Sequence, residues 1–167
     1  CVAFERAGAC DERRARLEEA TAFLASDDRR SAEEGYRRIL AANPAHVGAL
    51  CGLAMVALSA DRPGDADRLL QHALAQSRHV PVIWRTRAQA LLALGRLDEA
   101  AAAGEYLCQI EPDSAQSWIT VAAVAARSLR QEDALIGYQR AATLRPGEVR
   151  LHTSLGHVHK ALGNRHA

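Results

Sequence analysis

The sequence has 167 residues and a net charge of +1, because 21 Lys and Arg face 20 Asp and Glu. This balance argues against nucleic-acid or membrane-surface binding through overall charge. Hydrophobic residues make up 49% of the sequence, which is enough for a packed core. The sequence contains 35 Ala but only 14 Val and Ile together. Alanine favours helices and β-branched residues favour strands, so the composition predicts an all-α protein and argues against a β-sandwich, a barrel or a Rossmann domain.

One fixed spacing recurs along the chain. The small residues at this spacing form one series, Ala20, Ala54, Ala88, Ala122 and Gly156, and a second series, Ala32, Ala66, Ala100 and Ala134. The same interval separates Pro112 from Pro146 and Trp84 from Trp118. Several series that share one period without an insertion indicate an internal repeat.

In chain order, residues 1–12 are predicted to be an N-terminal arm or the end of a preceding helix. Four repeats follow, 13–46, 47–80, 81–114 and 115–148, and residues 149–167 begin a partial fifth. Each repeat holds two amphipathic helical segments, separated by breakers such as Gly95 and Pro146-Gly147. Ser31 and Glu34 predict a capping box that opens a helix. Because one helix pair cannot bury its apolar stripe alone, the pairs are expected to stack into a continuous core.

These residues resemble the tetratricopeptide repeat (TPR) family. The family motif places an aromatic residue, small residues, a glycine, a second aromatic residue and a proline within a repeat of about 34 residues. Trp84 and Ala88 match its first half in the third repeat, and Tyr138 matches its second half in the fourth. Two positions depart from the motif, since Arg78 replaces the proline and Gly104 an aromatic residue. The resemblance implies a right-handed α-solenoid of about four and a half helix-turn-helix repeats.

The sequence offers no catalytic motif, because no HExxH, GxSxG, P-loop or GxGxxG pattern is present. Acidic pairs recur at one repeat position, Glu33-Glu34, Asp98-Glu99 and Glu132-Asp133. Their place at predicted helix N-termini favours an interaction with the helix dipole over acid–base chemistry. We therefore expect this chain to have no catalytic residue and no cofactor, and not to be an enzyme.

Metal binding is not predicted either. The four cysteines, Cys1, Cys10, Cys51 and Cys108, form no CxxC pair. His152, His157 and His159 are five and two residues apart, which spreads them around a helix. No apolar run reaches the length of about 18 residues that a membrane helix needs, and no signal peptide is visible. These features predict a cytoplasmic protein with reduced thiols, and the Arg- and Ala-rich composition indicates a bacterial source.

The resemblance also implies a ligand surface, because the first helix of each TPR repeat lines a concave groove that binds a peptide. Carried over to this chain, the groove residues are Arg14, Leu17, Thr21, Cys51, Met55, Arg85, Gln89, Gln116, Ile119, Ala123, Arg150, Thr153, His157 and Lys160. A few separated cations among amides and apolar residues suit a peptide with scattered acidic groups, and they are too sparse for a nucleic-acid backbone. The clamp of chaperone-binding TPR domains is absent, since the only asparagines, Asn43 and Asn164, lie in turns.

Three functions remain open at this level. The first is a non-catalytic interaction scaffold that binds a protein or peptide partner. The second is an N-terminal regulatory segment of a larger bacterial enzyme, because residues 151–167 resemble the repeat region of TPR–sulfotransferase proteins; a catalytic domain would then lie beyond residue 167. The third is self-association through the C-terminal half-repeat, whose Leu151, Leu155 and Leu162 are expected to lack cover unless the chain continues or a partner packs there.

Overall fold

The chain is helical in the computed structural model, which describes the backbone of residues 2–26 and 28–163 and the side chains from residue 14 within those ranges. The helices are α1 (Val2–Ala25), α2 (Arg29–Ala42), α3 (Val47–Ser59), α4 (Pro63–Gln76), α5 (Pro81–Ala93), α6 (Leu97–Ile110), α7 (Ala115–Arg127), α8 (Gln131–Leu144) and α9 (Val149–Gly163). The described residues contain no β-strand. The predicted all-α fold class is confirmed.

The helices alternate between two roles in a repeated hairpin. The first helices α3, α5, α7 and α9 begin at Val47, Pro81, Ala115 and Val149, at one constant interval. The second helices α2, α4, α6 and α8 begin at Arg29, Pro63, Leu97 and Gln131, at the same interval. Each first helix from α1 to α7 packs closely against the second helix that follows it. The period of the sequence is therefore the period of a helical hairpin.

The N-terminal part differs from the prediction in two respects. Helix α1 runs without a break from Val2 to Ala25, so residues 2–12 lengthen the first helix and do not form a separate arm or helix. No proline interrupts this segment, and it is rich in helix-favouring Ala, Arg and Glu. Helix α2 is capped by Asp28, whose carboxylate accepts a hydrogen bond from the backbone N–H of Ser31 at 3.1 Å. Ser31 therefore lies inside the helix and is not its cap.

The chain divides into two compact units, unit 1 (Cys1–Arg78) and unit 2 (His79–Ala167). The division falls at the turn where Arg78 replaces the repeat proline. The other three turns between repeats are closed by a backbone hydrogen bond, from His46 to Asn43 (3.1 Å), Ser114 to Glu111 (3.2 Å) and Glu148 to Arg145 (3.3 Å). The described turn at residues 77–80 has no equivalent bond. Proline at the second turn position favours such a turn, so its loss accounts for this difference.

In unit 1, small residues allow the helices to approach closely. A Cβ atom added at Gly35 would lie 2.9 Å from the Cβ of Ala20, and one added at Gly52 would lie 2.2 Å from the ring of Tyr36. Tyr36 is fully buried in a cluster with Ala32 and other residues of α1, α2 and α3. The bulky ring therefore fills space that the glycine leaves open.

Unit 2 is built in the same way. A Cβ atom added at Gly137 would lie 2.9 Å from the Cβ of Ala122, which repeats the contact of Gly35 with Ala20 three periods later. Leu91 is fully buried in a cluster with Ala100 of α6 and Val124 of α7, and Leu107 of α6 is also fully buried. On α9, Leu151 is buried, and Leu155 and Leu162 are half-buried against the cluster around Tyr138. Leu151 is thus covered within unit 2, while Leu155 and Leu162 keep part of their surface exposed.

Candidate partner-binding surface

The charges of unit 2 are divided between its two kinds of helix. The first helices α5, α7 and α9 contain no Asp or Glu, and their cations are Arg85, Arg87, Arg127, Arg150 and Lys160. The acidic residues among the described part of unit 2 lie on second helices or in turns, namely Asp98, Glu99, Glu105, Glu111, Asp113, Glu132, Asp133 and Glu148. The first helices therefore present positive charge without any acidic neighbour on the same helix.

One stripe of each first helix faces solvent. We call these residues the first-helix surface of unit 2, and they are Arg85, Gln89, Gln116, Ile119, Ala123, Arg127, Arg150, Thr153, His157 and Lys160. All ten are half-exposed or exposed. Spacings of three or four residues place the members on α7 and on α9 along one side of each helix. On α5 the buried residues Ile83 and Leu91 take the core side, and α5 packs against α7. The packed helices α5 and α7 thus contribute to one surface, and α9, which packs against α8, presents its own exposed stripe.

The cations of this surface are free to bind a partner. Within residues 14–26 and 28–163, the side chains of Arg85, Arg127, Arg150 and Lys160 make no ion pair. Four other arginines of unit 2 are paired, with N–O distances of 3.9 Å for Arg87–Glu99, 2.6 Å for Arg96–Glu99, 3.6 Å for Arg130–Asp133 and 3.8 Å for Arg145–Glu148. The surface therefore has uncompensated positive charge.

The helix dipole makes one of these positions unfavourable for folding. Helices α4, α6 and α8 carry acidic residues in their first turns, where they stabilise the helix. Helices α5, α7 and α9 carry none, and Arg150 is the second residue of α9. A cation there opposes the dipole, at about 0.3–1 kcal/mol. Arg127 and Lys160 lie in last turns, where a cation is favourable. Arg150 thus has no helix-stabilising reason for its place.

The predicted groove residues of α1 are engaged within unit 1. Arg14 forms an ion pair with Glu18, at 2.9 Å between Nε and Oε1, on the exposed side of the helix. The hydroxyl of Thr21 donates to the backbone carbonyl of Glu18 at 2.7 Å. Leu17 is half-buried against the Tyr36 cluster. These side chains therefore leave few free groups for a partner to contact.

The two predicted groove residues of α3 differ sharply in exposure. Met55 is 42% exposed, whereas Cys51 is 4% exposed. Burial raises the pKa of the Cys51 thiol to about 11. This corrects the predicted set at one position, because a side chain packed into a helix interface cannot contact a ligand. Helix α3 contains no charged residue, so it adds no ionic site.

The second helices of unit 1 border a cleft of about 480 Å³ whose charges are paired with one another. Glu33 lies 2.7 Å from Arg37 and 3.3 Å from Arg62, and Arg68 pairs with Asp65. Apolar residues such as Leu53 also line the cleft. Of the acidic residues predicted to lie at helix N-termini, Glu33 is thus ion-paired in this cleft, and Glu99 and Asp133 are ion-paired in unit 2.

The histidines do not form a metal site in the described part of the chain. No group of three His, Cys, Asp or Glu side chains there is arranged to hold a metal ion. His152, His157 and His159 are exposed, and a ring nitrogen of His152 lies 3.4 Å from the carbonyl oxygen of Pro146. Among the described helices, none combines the length and the apolar character required to cross a bilayer.

Comparisons with known proteins agree on the type of repeat. Residues 57–118 match the tetratricopeptide repeat family. This segment of the chain carries tetratricopeptide repeat sequence. Similar solved structures include the TPR protein TTC0263 of Thermus thermophilus, with 18% identity over 90% of this chain and 83% of that one and a TM-score of 0.81. A search of curated proteins gave no match.

Two further TPR-like structures show how widely the fold is shared. Pseudomonas aeruginosa pilF is 18% identical over 90% of this chain and 69% of that one, with a TM-score of 0.83. The first TPR domain of human RPAP3 is 16% identical over 74% of this chain and 98% of that one, with a TM-score of 0.70. At these identities the likeness concerns the fold alone. The TPR resemblance is confirmed, and the narrower likeness to TPR–sulfotransferase proteins stays a prediction.

One member of the surface was missed by the sequence analysis. Arg127 ends α7, is exposed and lies four residues after Ala123 on the same stripe. The groove positions that the TPR resemblance implied on this helix ended at Ala123, so Arg127 was not included. The signal was nevertheless present in the sequence, because the absence of Asp and Glu from each first helix after α1 can be counted once the period is known.

Proposed function

We propose that the chain is a non-catalytic scaffold and that a protein partner binds the first-helix surface of unit 2. The observation that supports this most directly is the set of exposed cations without ion pairs on helices that contain no acid. TPR folds typically serve as protein-interaction scaffolds, and fold alone does not name the partner. The surface residues offer guanidinium, amide and hydroxyl groups that suit peptide binding, and they include no nucleophile paired with a base.

We leave the predicted residues of unit 1 outside this surface. Arg14 is neutralised by Glu18, and Cys51 is buried. Leu17 already packs within the unit, which leaves Met55 as the exposed apolar member. A partner would therefore gain more from the unpaired donors of unit 2 than from these side chains.

The proposal is tested by selecting binders from a random peptide library and mapping each complex by hydrogen exchange. We expect protection of α5, α7 and α9. Gln89→Ala should weaken the selected peptides about tenfold, because interface energy concentrates in a few side chains. Gln139→Ala is the matched control, since Gln139 is an exposed glutamine on the second helix α8. Binders that protect only second helices, or the absence of binders, would contradict the proposal.

The other functions and the location predicted from the sequence stay predictions. A sulfotransferase domain would lie beyond residue 167, and the sequence of the complete reading frame tests it directly. Self-association through α9 also stays a prediction, for which the partly exposed Leu155 and Leu162 are the available apolar side chains. Light scattering over a range of protein concentrations tests that possibility. Cytoplasmic location in a bacterium also stays a prediction.

A further inference from the structure

Resting on the proposed function, we infer that the occupant of the first-helix surface of unit 2 is an acidic segment of another protein. Its carboxylates pair with Arg85, Arg127, Arg150 and Lys160. Two independent features carry this inference. One is the segregation of charge between first and second helices, and the other is the placement of Arg150.

Charge segregation keeps acidic side chains off the helices that carry these cations. A partner carboxylate that approaches α5, α7 or α9 meets no Asp or Glu on those helices. Opposite potentials across an interface steer encounter and set specificity, whereas like charges repel. A basic segment would be repelled by the same surface. The cations are few and are interleaved with Gln89, Gln116 and Ile119, so they match a segment with spaced carboxylates better than a continuous polyanion.

The position of Arg150 indicates a binding role, because helix stabilisation does not explain its charge. Arg127 and Lys160 stand in last turns, so helix stabilisation alone explains their charge. Arg150 stands in the first turn of α9, where the dipole disfavours it, and makes no ion pair among the described residues. A residue that breaks a local rule without a compensating contact is expected at a functional site. Recognition of a carboxylate is the interaction that a free guanidinium serves best.

The helix arrangement also limits the spacing of the partner's acids. Packed helices such as α5 and α7 lie about 8–10 Å apart, and an extended chain advances about 3.3 Å per residue. An extended segment that crosses from α5 to α7 therefore advances about three residues between the two helices. Half-exposed Ile119 and Ala123 lie between the cations and can contact the intervening side chains. The inferred segment is thus acidic, extended and partly apolar.

The test uses the full chain and two peptide libraries. One library fixes Glu at every third position and randomises the others, and the second fixes Gln at the same positions. We expect binders from the Glu library, affinities at least about tenfold weaker for the same peptides with Gln, and a loss of affinity as salt rises. Arg150→Glu should weaken binding at least about tenfold while raising the melting temperature, because Glu favours a helix N-terminus. A merely structural role cannot produce this opposite pair of effects.

Arg140→Glu is the matched control, because it makes the same charge change at an exposed position on second helix α8. We expect it to change affinity less than about twofold. Equal binding of Gln peptides, or equal weakening by Arg140→Glu, would overturn the inference. Competition by a short oligonucleotide at equal strength would also overturn it, in favour of nucleic acid. If neutral binders still protect α5, α7 and α9, the scaffold stands and only the acidic partner is wrong; if no binder maps there, the proposed function itself fails.

Discussion

Leu129 is a leucine in a conformation that favours glycine. Its φ is 58°, and it is 68% exposed in the turn between α7 and α8. The equivalent residues one and two repeats earlier are Gly95, with φ 73°, and Asp61, with φ 55°. A side chain with a Cβ costs about 1 kcal/mol in this region. We predict that Leu129→Gly raises the free energy of unfolding by about 0.5–1 kcal/mol, measured by urea denaturation.

The reverse change at Gly95 serves as the control. No atom lies within 4 Å of a Cβ built at Gly95, so Gly95→Ala should destabilise the protein through the backbone conformation alone. We expect a loss of about 1 kcal/mol. A lower stability of Leu129→Gly would show instead that contacts of the leucine side chain outweigh the strain of its backbone.

The two cysteines with described side chains should differ in reactivity. Burial raises the pKa of the Cys51 thiol to about 11 and also raises that of the half-exposed Cys108. Because the thiolate is the reactive form, about one Cys51 thiol in a thousand is ionised at pH 8. We predict that iodoacetamide labels Cys51 more slowly than Cys108, and that Cys51 labelling rises about tenfold per pH unit up to its pKa. Peptide mass spectrometry resolves the two sites, and equal rates at pH 8 in the folded protein would contradict the prediction.

At the scale of the helix, the second helices after α2 begin without a side-chain cap. Arg130 precedes α8 with φ −90° and ψ 75°, close to the −81° and 75° of Asp28, which does cap α2. Asn at position 130 would place an oxygen near the N–H of Asp133, as Asp28 does for Ser31. We predict that Arg130→Asn raises the free energy of unfolding by about 0.5–1 kcal/mol in urea titrations.

Arg130→Gln separates the cap from the loss of the ion pair. Both substitutions remove the pair with Asp133, whose charged atoms lie 3.6 Å apart and are exposed. Such a pair contributes about 0–1 kcal/mol, and Gln is too long to cap. The Arg130→Asn variant should therefore have a higher free energy of unfolding than the Arg130→Gln variant. Equal stabilities would mean that the backbone at residue 130 does not admit a cap.

The positions of the helices were predictable from the sequence where the repeat spacing and the helix-breaking residues between helices define them. The regular spacing of alanine reflects close helix contacts such as Ala20 with Gly35, which tolerate no larger residue. The extension of α1 escaped prediction because the repeat pattern was traced only from residue 13 onward. The cap of α2 was misassigned because Asp28 and Ser31 are both good capping residues, and only the backbone geometry distinguishes them.

The binding surface was less predictable than the helices. Family position identifies which residues lie on first helices, but it does not show that Arg14 is paired with Glu18 or that Cys51 is buried. Those facts depend on side-chain packing between elements. Charge segregation, in contrast, is a property of the sequence that becomes visible only after the helices are divided into first and second.

At the scale of the whole molecule, the two units predict local responses to damage. A repeat array is held together by contacts between neighbouring repeats, so destabilisation of one part need not spread. A Cβ at Gly52 would lie 2.2 Å from the Cζ atom of Tyr36, which is fully buried. Gly52→Ala therefore forces the ring or the helix to move, at a cost of about 1–3 kcal/mol. We predict faster hydrogen exchange in α2 and α3, with rates in α6, α7 and α8 unchanged.

Gly64→Ala is the control within unit 1, since a Cβ at this exposed position meets no atom within 4 Å. Its exchange should match that of the parent protein in both units, because no packed neighbour has to move. The described turn at residues 77–80 has no backbone hydrogen bond like those of the other turns between repeats, so this segment is less constrained locally. If Gly52→Ala accelerates exchange in α6, α7 and α8 as much as in α2 and α3, the helices open as one cooperative body, and the boundary at Arg78 has no energetic meaning.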